Sequence, residues 1–231
     1  MSRVPVITID GPGGAGKGTV AKRVASALGW HLLDSGMIYR LLALASIIHK
    51  VAADNEASLA SIAAALDVRF VADDESEGVR AWLEGEDVTD QVRSEDVGLV
   101  ASKVAALPAV RSALLDRQRG FAQAPGLVAD GRDMGTIVFT AAPLKVYLTA
   151  SVDARADRRH KQLLEKGQSG SLARLEEAIA ARDKSDMERK VAPLKPAPDA
   201  FYIDSTNMSI DEVCSAILEQ ARQRKLASVD L

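Results

Sequence analysis

The sequence predicts an α/β fold in which a parallel sheet carries helices on both faces. Short apolar runs rich in β-branched residues, such as Val4–Ile9, alternate with segments in which apolar residues recur at helical spacing. A glycine-rich loop connects the first of these runs to the first helical segment. The chain has 231 residues, enough to bury a sizeable core in one α/β domain with insertions.

Composition excludes several classes of protein. The hydrophobic fraction of 47% and the charged fraction of 26% are ordinary for a globular chain. The net charge of −3 gives no sign of a nucleic-acid or membrane partner. Cys214 is the only cysteine, which excludes an internal disulfide and a cysteine zinc cluster. Because the apolar start is short and no apolar stretch approaches transmembrane length, we expect a cytoplasmic protein.

The glycine-rich segment Gly11–Thr19 predicts a phosphate-binding loop. It carries Gly-x-x-x-x-Gly-Lys between a strand and a helix that is marked by Val20, Val24 and Leu28. Glycines let the backbone N–H groups turn inward, and the helix directs its positive end at the same point. Lys17 adds a charge where the outer phosphates would lie. A plain glycine turn would explain neither the lysine nor the flanking elements.

The residue after this lysine departs from the common form of the loop. Ser or Thr is expected there to present a hydroxyl to magnesium, but Gly18 takes that place and Thr19 follows. The order Gly-Lys-Gly-Thr resembles the loop of nucleoside monophosphate kinases more than that of GTPases. Thr19 is therefore the candidate hydroxyl near a metal ion.

The segment after the first helix predicts a second strand and a second helix. Trp30–Leu33 is typical of a short strand, and Asp34 or Ser35 can cap the helix that follows. Arg40 lies near the start of this helix. It is either a solvated surface arginine or a clamp for a substrate phosphate.

A small antiparallel insertion is predicted next, where the alternation of strands and helices is interrupted. Glu56–Leu66 and Val97–Leu107 have helical spacing. Between them, Val68–Val71 and Val79–Leu83 are typical of short strands that flank an acidic hairpin tip, Asp73–Glu77. A third short strand is expected over Asp87–Val92.

Charges collect after the next predicted strand. A helix over residues 108–121 contains Arg111, and Gly126–Asp130 is typical of a buried strand. The strand runs into Asp130-Gly-Arg-Asp-Met-Gly-Thr136, and chemistry collects at the carboxyl ends of parallel strands. A solvated connection to the next strand, Leu144–Thr149, is the alternative.

Two basic segments follow that strand. Arg155, Arg158 and Arg159 share one face of a predicted helix, and a second set contains Arg182, Lys184, Arg189 and Lys190. Lys166–Ser171 between them is a flexible linker of the kind that a moving lid uses. Two solvated helix faces are the alternative, but arginine concentrated in an acidic chain favours contact with a phosphoryl group. The chain closes with a strand, Phe201–Asp204, and an amphipathic helix from Ile210.

Three motifs carry a resemblance to a known family. Asp34–Arg40, Asp130–Thr136 and Ala181–Asp186 together resemble segments of bacterial cytidylate kinases, which are nucleoside monophosphate kinases. Ala192-Pro-Leu194 and Asp204-Ser-Thr206 are similar to the family as well. The resemblance runs in order from residue 4 to about 225 and includes the insertion.

The resemblance implies a monomeric enzyme that transfers the γ-phosphate of ATP to CMP or dCMP with Mg²⁺. Its partners would be small-molecule nucleotides, without nucleic acid or membrane. It also implies a P-loop kinase core over residues 1–34, 108–152 and 171–231, a monophosphate-binding region over 35–107 and a helical lid over 153–170.

Site residues follow from the resemblance, position by position. Those expected at ATP are Gly11, Gly13, Gly14, Ala15, Gly16, Lys17, Gly18, Thr19, Arg155, Arg158 and Arg159. Those expected at CMP are Ser35, Arg40, Ser102, Arg111, Arg132, Asp133, Arg182, Asp186 and Arg189. Those expected to act on the transferring group are Lys17, Arg132, Arg158 and Arg189. Thr19 and Asp130 are expected near the metal, Asp130 through water.

Two alternatives remain at this point. Another phosphate-loop kinase, for UMP, AMP or shikimate, would share residues 4–30 but would not explain the two later motifs. A GTP-binding switch would require Asn-Lys-x-Asp for guanine, and the sequence has no such segment.

Overall fold

A computed structural model of the chain describes residues 4–73, 78–165, 167 and 169–226. The chain divides into two compact units. The core unit contains the segments up to Leu33 and from Arg119 onward, and the insert unit is Asp34–Gln118. Most of the predicted acidic hairpin tip, residues 74–77, lies outside the described residues, as do Lys166 and Gln168 of the predicted linker.

The described residues form eight strands and eight α-helices. The strands are β1 (Val6–Asp10), β2 (His31–Asp34), β3 (Val68–Asp73), β4 (Gly78–Leu83), β5 (Glu86–Asp87), β6 (Leu127–Gly131), β7 (Leu144–Thr149) and β8 (Phe201–Asp204). The helices are α1 (Lys17–Leu28), α2 (Ser35–Ile48), α3 (Glu56–Ala65), α4 (Glu95–Val104), α5 (Pro108–Arg119), α6 (Val152–Glu165), α7 (Leu172–Met187) and α8 (Ile210–Gln223). Within the described ranges no single helix is long and apolar enough to cross a membrane, and α4 and α5 meet that criterion only as a pair bent by 101°.

The core unit is built on a five-stranded sheet in the order β2-β6-β1-β7-β8. Strand β1 pairs in parallel with both β6 and β7, and β7 pairs in parallel with β8. Every residue of β1 and β6 is buried, so both faces of the sheet centre are covered. This arrangement confirms the predicted parallel sheet, and the predicted bounds of β7 and β8 are confirmed residue for residue.

One face of this sheet packs against α1 and α8. Ile7 and Ile9 of β1 form an apolar cluster with Val20 and Val24 of α1 and with Ile217 of α8. The helical spacing of those residues therefore reflects a buried stripe on each helix.

The carboxyl ends of the central strands lie side by side. Asp10 at the end of β1 is paired with Gly131 of β6 and with Tyr147 of β7. Immediately afterwards, Gly11 has φ +154°, and a Cβ atom there would lie 1.9 Å from the carbonyl oxygen of Leu148. Only glycine lets the chain leave β1 this close to the β7 backbone. The phosphate loop and the loop after β6 therefore start at one edge of the sheet.

The insert unit contains a three-stranded sheet in the order β3-β4-β5, with antiparallel pairing throughout. The predicted third strand was wrong in its extent, since only Glu86 and Asp87 pair with β4. The carboxylate of Asp87 accepts from the backbone N–H of Thr89 at 3.0 Å and from its hydroxyl at 2.6 Å. This turn ends the strand, and Gln91–Arg93 forms a short 3-10 helix instead.

Candidate active site

The phosphate loop places its lysine between two elements of the core unit. Helix α1 begins at Lys17, and its N-cap residue Gly16 is left-handed with φ 86°. Glycine has no side chain to cap the first-turn N–H groups, which suits this helix end to an anion. The buried ammonium of Lys17 donates to the carbonyl oxygen of Pro12 at 2.9 Å and lies 3.9 Å from an oxygen of Asp130 at the end of β6.

Asp10 connects the end of β1 to the loop after β6. Its buried carboxylate accepts hydrogen bonds from the backbone N–H groups of Met134 at 2.8 Å and Gly135 at 2.7 Å. Those groups belong to a π-helical turn, Met134–Val138, where the sequence predicted only a loop. Asp133 is the N-cap of this turn and is itself buried.

Burial raises the pKa of Asp10 to about 7. The two backbone hydrogen bonds favour the charged form and work against this rise, whereas the nearby carboxylates of Asp133 and Asp130 add to it. Asp10 was not among the predicted site residues. Its place at the end of a buried strand, directly before the phosphate loop, was the available signal.

Asp186 holds two of the predicted phosphate-binding arginines. Its carboxylate accepts from Nε of Arg132 at 3.0 Å and lies 3.6 Å from Nη2 of Arg189. Nη2 of Arg132 would lie 3.4 Å from a Cβ atom on Gly13, so its guanidinium borders the phosphate loop. These contacts bring two positive groups and one carboxylate together beside that loop.

Arg155 is anchored rather than solvated. Its guanidinium donates to the carbonyl oxygens of Ala150 at 2.9 Å and Gly13 at 3.0 Å and forms two hydrogen bonds with Asp183. The side chains of Arg155 and Asp183 are buried. Asp183 was not among the predicted site residues, although it lies within the motif Ala181–Asp186.

The other predicted arginines of the core unit are more exposed. Arg158 donates to the carbonyl oxygen of Ser205 at 2.6 Å and is half-buried. Arg159 and Arg182 are exposed, as is Thr19 in the first turn of α1. The three arginines of α6 therefore share a helix, as predicted, but differ widely in burial.

In the insert unit, Arg40 and Ser102 converge on Gly98. Arg40 donates to the carbonyl oxygens of Val92 and Ser94, both at 3.0 Å. A Cβ atom on Gly98 would lie 2.7 Å from Nη2 of Arg40, and the hydroxyl of Ser102 donates to the Gly98 carbonyl at 3.1 Å. A side chain at position 98 would therefore displace the Arg40 guanidinium from its present position.

Arg111 is buried in the insert unit. It donates to the carbonyl oxygen of Ala105 at 3.0 Å, and its guanidinium carbon lies 5.7 Å from the ring centre of Tyr39. Ser35 is buried at the start of α2, next to Asp34, whose carboxylate caps that helix through the N–H of Met37. Arg111 and Ser35 are therefore both buried within the insert unit.

The arrangement in the core unit is suited to phosphoryl transfer. Lysine and arginine groups border a loop of backbone N–H groups at the carboxyl edge of a parallel sheet, where developing negative charge can be stabilised. Across the described ranges, no cluster of three or more His, Cys, Asp or Glu side chains could hold a metal ion by itself. Mg²⁺ in kinases usually needs only one or two protein oxygens, because phosphates and water complete its shell.

Comparisons with known proteins point to one family. The family model described as "Cytidylate kinase" matches residues 7–223. The chain is 59% identical to a cytidylate kinase of Pseudomonas paraeruginosa over 221 residues, and the match covers 96% of each protein. It is 56% identical to a cytidylate kinase of Shewanella loihica over 222 residues, again covering 96% of each. A solved shikimate kinase from Acinetobacter baumannii is 18% identical, with 96% of each chain covered and a TM-score of 0.45.

The buried Asp10 should make stability depend on pH. Its pKa of about 7 exceeds the unfolded value of 3.8, so the folded chain retains a proton that the unfolded chain has lost between these values. We expect the free energy of unfolding to fall as pH rises through this window, by at most about 1.4 kcal/mol per pH unit from this group. In Asp10→Asn this slope should be flatter.

Urea unfolding from about pH 4 to about pH 8, without nucleotide or Mg²⁺, measures both slopes. Asp54→Asn is a matched control, because it removes an exposed carboxylate. Equal slopes in the wild type and Asp10→Asn would contradict the raised pKa.

Proposed function

This chain belongs to the cytidylate kinase family, and we propose how its residues transfer the γ-phosphate of ATP to CMP or dCMP. An oxygen of the CMP phosphate forms the new bond to the γ-phosphorus, the bond from that phosphorus to the β–γ bridging oxygen breaks, and ADP leaves with CDP or dCDP. The observation that carries this assignment is the family match over residues 7–223 of the 231-residue chain. The comparisons give no support to the kinase for another acceptor or to the GTP-binding switch.

We propose that the phosphate loop holds ATP. Inward N–H groups of the loop and the start of α1 would bind the phosphates, and Lys17 would neutralise charge on the group in transfer. The buried position of Lys17 beside Asp130 supports this role. The proposed ATP-binding residues are Gly11, Gly13, Gly14, Ala15, Gly16, Lys17, Gly18, Thr19, Arg155, Arg158 and Arg159.

Thr19 and Asp130 fit a magnesium site. Both supply oxygen, the ligand type that Mg²⁺ prefers, and an oxygen of Asp130 would lie 3.5 Å from a Cβ atom on Gly18, next to Thr19. When bound, Mg²⁺ would neutralise charge on the β- and γ-phosphates. We propose that Thr19 presents its hydroxyl to the ion and that Asp130 acts through water.

We propose that the residues expected at CMP bind the acceptor. Arg40, Arg132 and Arg189 would bind the CMP phosphate, because guanidinium groups match phosphate oxygens in pairs. Its sugar would be held by Arg182 and Asp186, and Ser35 would lie at the same substrate. The cytosine edge would be read by Ser102, Arg111 and Asp133.

The chemistry needs alignment and charge neutralisation more than covalent help. A general base is not required, because the attacking phosphate oxygen is already anionic. Four positive side chains would stabilise the charge on the transferring group: Lys17, Arg132, Arg158 and Arg189. A lid over residues 153–170 would exclude water and so limit ATP hydrolysis.

Several expectations from the sequence stay predictions. They are the lid, the monomeric state, the cytoplasmic location and independence from nucleic acid and membrane.

Substrate choice tests the function directly. ADP release should be fastest with CMP or dCMP, slower with UMP, and near background with AMP or shikimate. Without an acceptor, ATP hydrolysis should be a small fraction of the CMP-stimulated rate, since the positive groups close around phosphate only when both substrates are present. A coupled ADP assay across the five acceptors measures this. Equal rates with and without CMP would instead favour the nucleotide-binding switch.

Replacing the loop lysine should abolish most activity. In Lys17→Met the fold should persist, because methionine fills similar space. Turnover should fall by two orders of magnitude or more, since a charged donor to the transferring group is worth roughly 3 kcal/mol. Lys22→Met on the same helix is the matched control. Steady-state kinetics with CMP and ATP measure the turnover of the wild type and both variants. Near-normal turnover in Lys17→Met would refute the assignment of this segment as the ATP-binding loop.

Asp133 should determine the choice of base. Cytosine presents an amino donor at N4, which a carboxylate accepts, whereas uracil presents an acceptor at O4. Arg111 would donate to N3 or O2 of cytosine but would face an N–H group in uracil. We expect the wild type to prefer CMP over UMP by roughly 10²–10⁴ in kcat/KM.

Asp133→Ala should therefore lose CMP activity far more than UMP activity and narrow that ratio. Asp116→Ala, which removes an exposed carboxylate, is the control. If Asp133 only orients an arginine, kcat/KM for CMP and kcat/KM for UMP should fall by the same factor. An unchanged CMP/UMP ratio would thus exclude the base-reading role.

A further inference from the structure

Within the core unit, helix α7 buries two aspartates. Asp183 and Asp186 are the buried residues of this helix, one turn apart on the same face, while the rest of its surface is exposed or half-buried. Buried carboxylates need charged or hydrogen-bonding partners, so the partners of these two residues help to determine where the helix lies. Asp186 contacts Arg132 and Arg189, and Asp183 contacts Arg155.

Arg155 in turn contacts the phosphate loop. Its Nη1 donates to the Gly13 carbonyl at 3.0 Å and to Asp183 at 3.1 Å, and its Nη2 donates to the other oxygen of Asp183 at 2.5 Å. Nε donates to the carbonyl of Ala150 at 2.9 Å, just before α6. One planar guanidinium therefore ties α7, the end of β7 and the phosphate loop together.

The contact with Gly13 also sets the direction of a loop N–H group. In a trans peptide the carbonyl and the following N–H point in opposite directions. By holding the Gly13 carbonyl, Arg155 turns the N–H of Gly14 to the opposite side of that peptide. Arg155 also lies directly against Gly14, where a Cβ atom would be 3.4 Å from Cβ of the arginine.

We infer that Asp183 is a positioning residue that couples the phosphate loop to the arginines of the acceptor site, a role that rests on the proposed function. Asp183 orients Arg155, Arg155 orients the Gly13–Gly14 peptide, and the same α7 face holds Arg132 and Arg189 through Asp186. Its removal should therefore disturb both substrates, although the residue itself is assigned to neither.

Asp183→Asn tests this coupling, because it keeps the shape of the side chain but removes its charge. We expect kcat/KM to fall about 10- to 100-fold, the loss typical of slightly misplaced catalytic groups, with KM raised for both ATP and CMP. Asp183→Glu, which retains a displaced carboxylate, should recover part of the loss. Glu177→Gln makes the same change of charge at an exposed position of α7 and should match the wild type.

Kinetics are measured below the melting temperature of each variant, with folding checked by circular dichroism. A role confined to stability would lower Tm of Asp183→Asn and leave kcat and both KM values unchanged, and that result would overturn the inference. A rise in KM for ATP alone would also overturn it. If Asp183→Asn does not fold, Asp183→Glu decides, and wild-type kinetics in that variant would overturn the inference.

A second measurement separates this inference from the proposed function. The affinity for a non-hydrolysable ATP analogue is measured by calorimetry without CMP. Asp183→Asn should bind the analogue more weakly than Glu177→Gln, because the loop contact of Arg155 is disturbed. Failure of the wild type to phosphorylate CMP would refute the proposed function, whereas equal analogue affinity in the two variants would refute the coupling.

Discussion

The buried carboxylate of Asp10 is the contact on which the core site depends. It ends β1, directly before the phosphate loop, and it accepts the backbone N–H groups that begin the π-helical turn after β6. These hydrogen bonds connect the two loops that follow the neighbouring strands β1 and β6. Arg132 and Asp133 lie just before that turn, so their positions relative to Lys17 follow from this pair of hydrogen bonds.

Helices of the core unit pack in two different ways. Those near the sheet are held by apolar contacts, whereas α7 is held partly by ion pairs. On one face of the sheet, α1 and α8 bury aliphatic stripes, whereas the buried residues of α7 are two aspartates. Ion pairs of this kind are weak sources of stability, since desolvation offsets most of their attraction. They do define geometry, because a guanidinium and a carboxylate meet in few orientations. The two aspartates of α7 thus place Arg132, Arg155 and Arg189 in defined orientations beside the phosphate loop.

Much of the fold could be predicted because the relevant signals are local. Apolar β-branched runs marked the strands of the main sheet, and the predicted bounds of β7 and β8 match the structure. The prediction erred where a side chain redirected the backbone. The Asp87 carboxylate accepts from the N–H of Thr89, and this turn ends β5. The Asp10 carboxylate accepts from the N–H groups of Met134 and Gly135, which begin a π-helical turn.

The sequence by itself determined the phosphate loop, the parallel architecture and the family, since these depend on spacing and order along the chain. Tertiary structure alone decided which polar and charged groups are paired. Asp10 meets partners 124 and 125 residues away, Asp183 meets Arg155 across 28 residues, and Asp186 meets Arg132 across 54. A sequence shows that a chain has arginines and aspartates, but burial determines which of them must find each other. Arg155 and Arg159 occupy one predicted helix face, yet Arg155 is buried in an ion pair beside the phosphate loop and Arg159 is exposed.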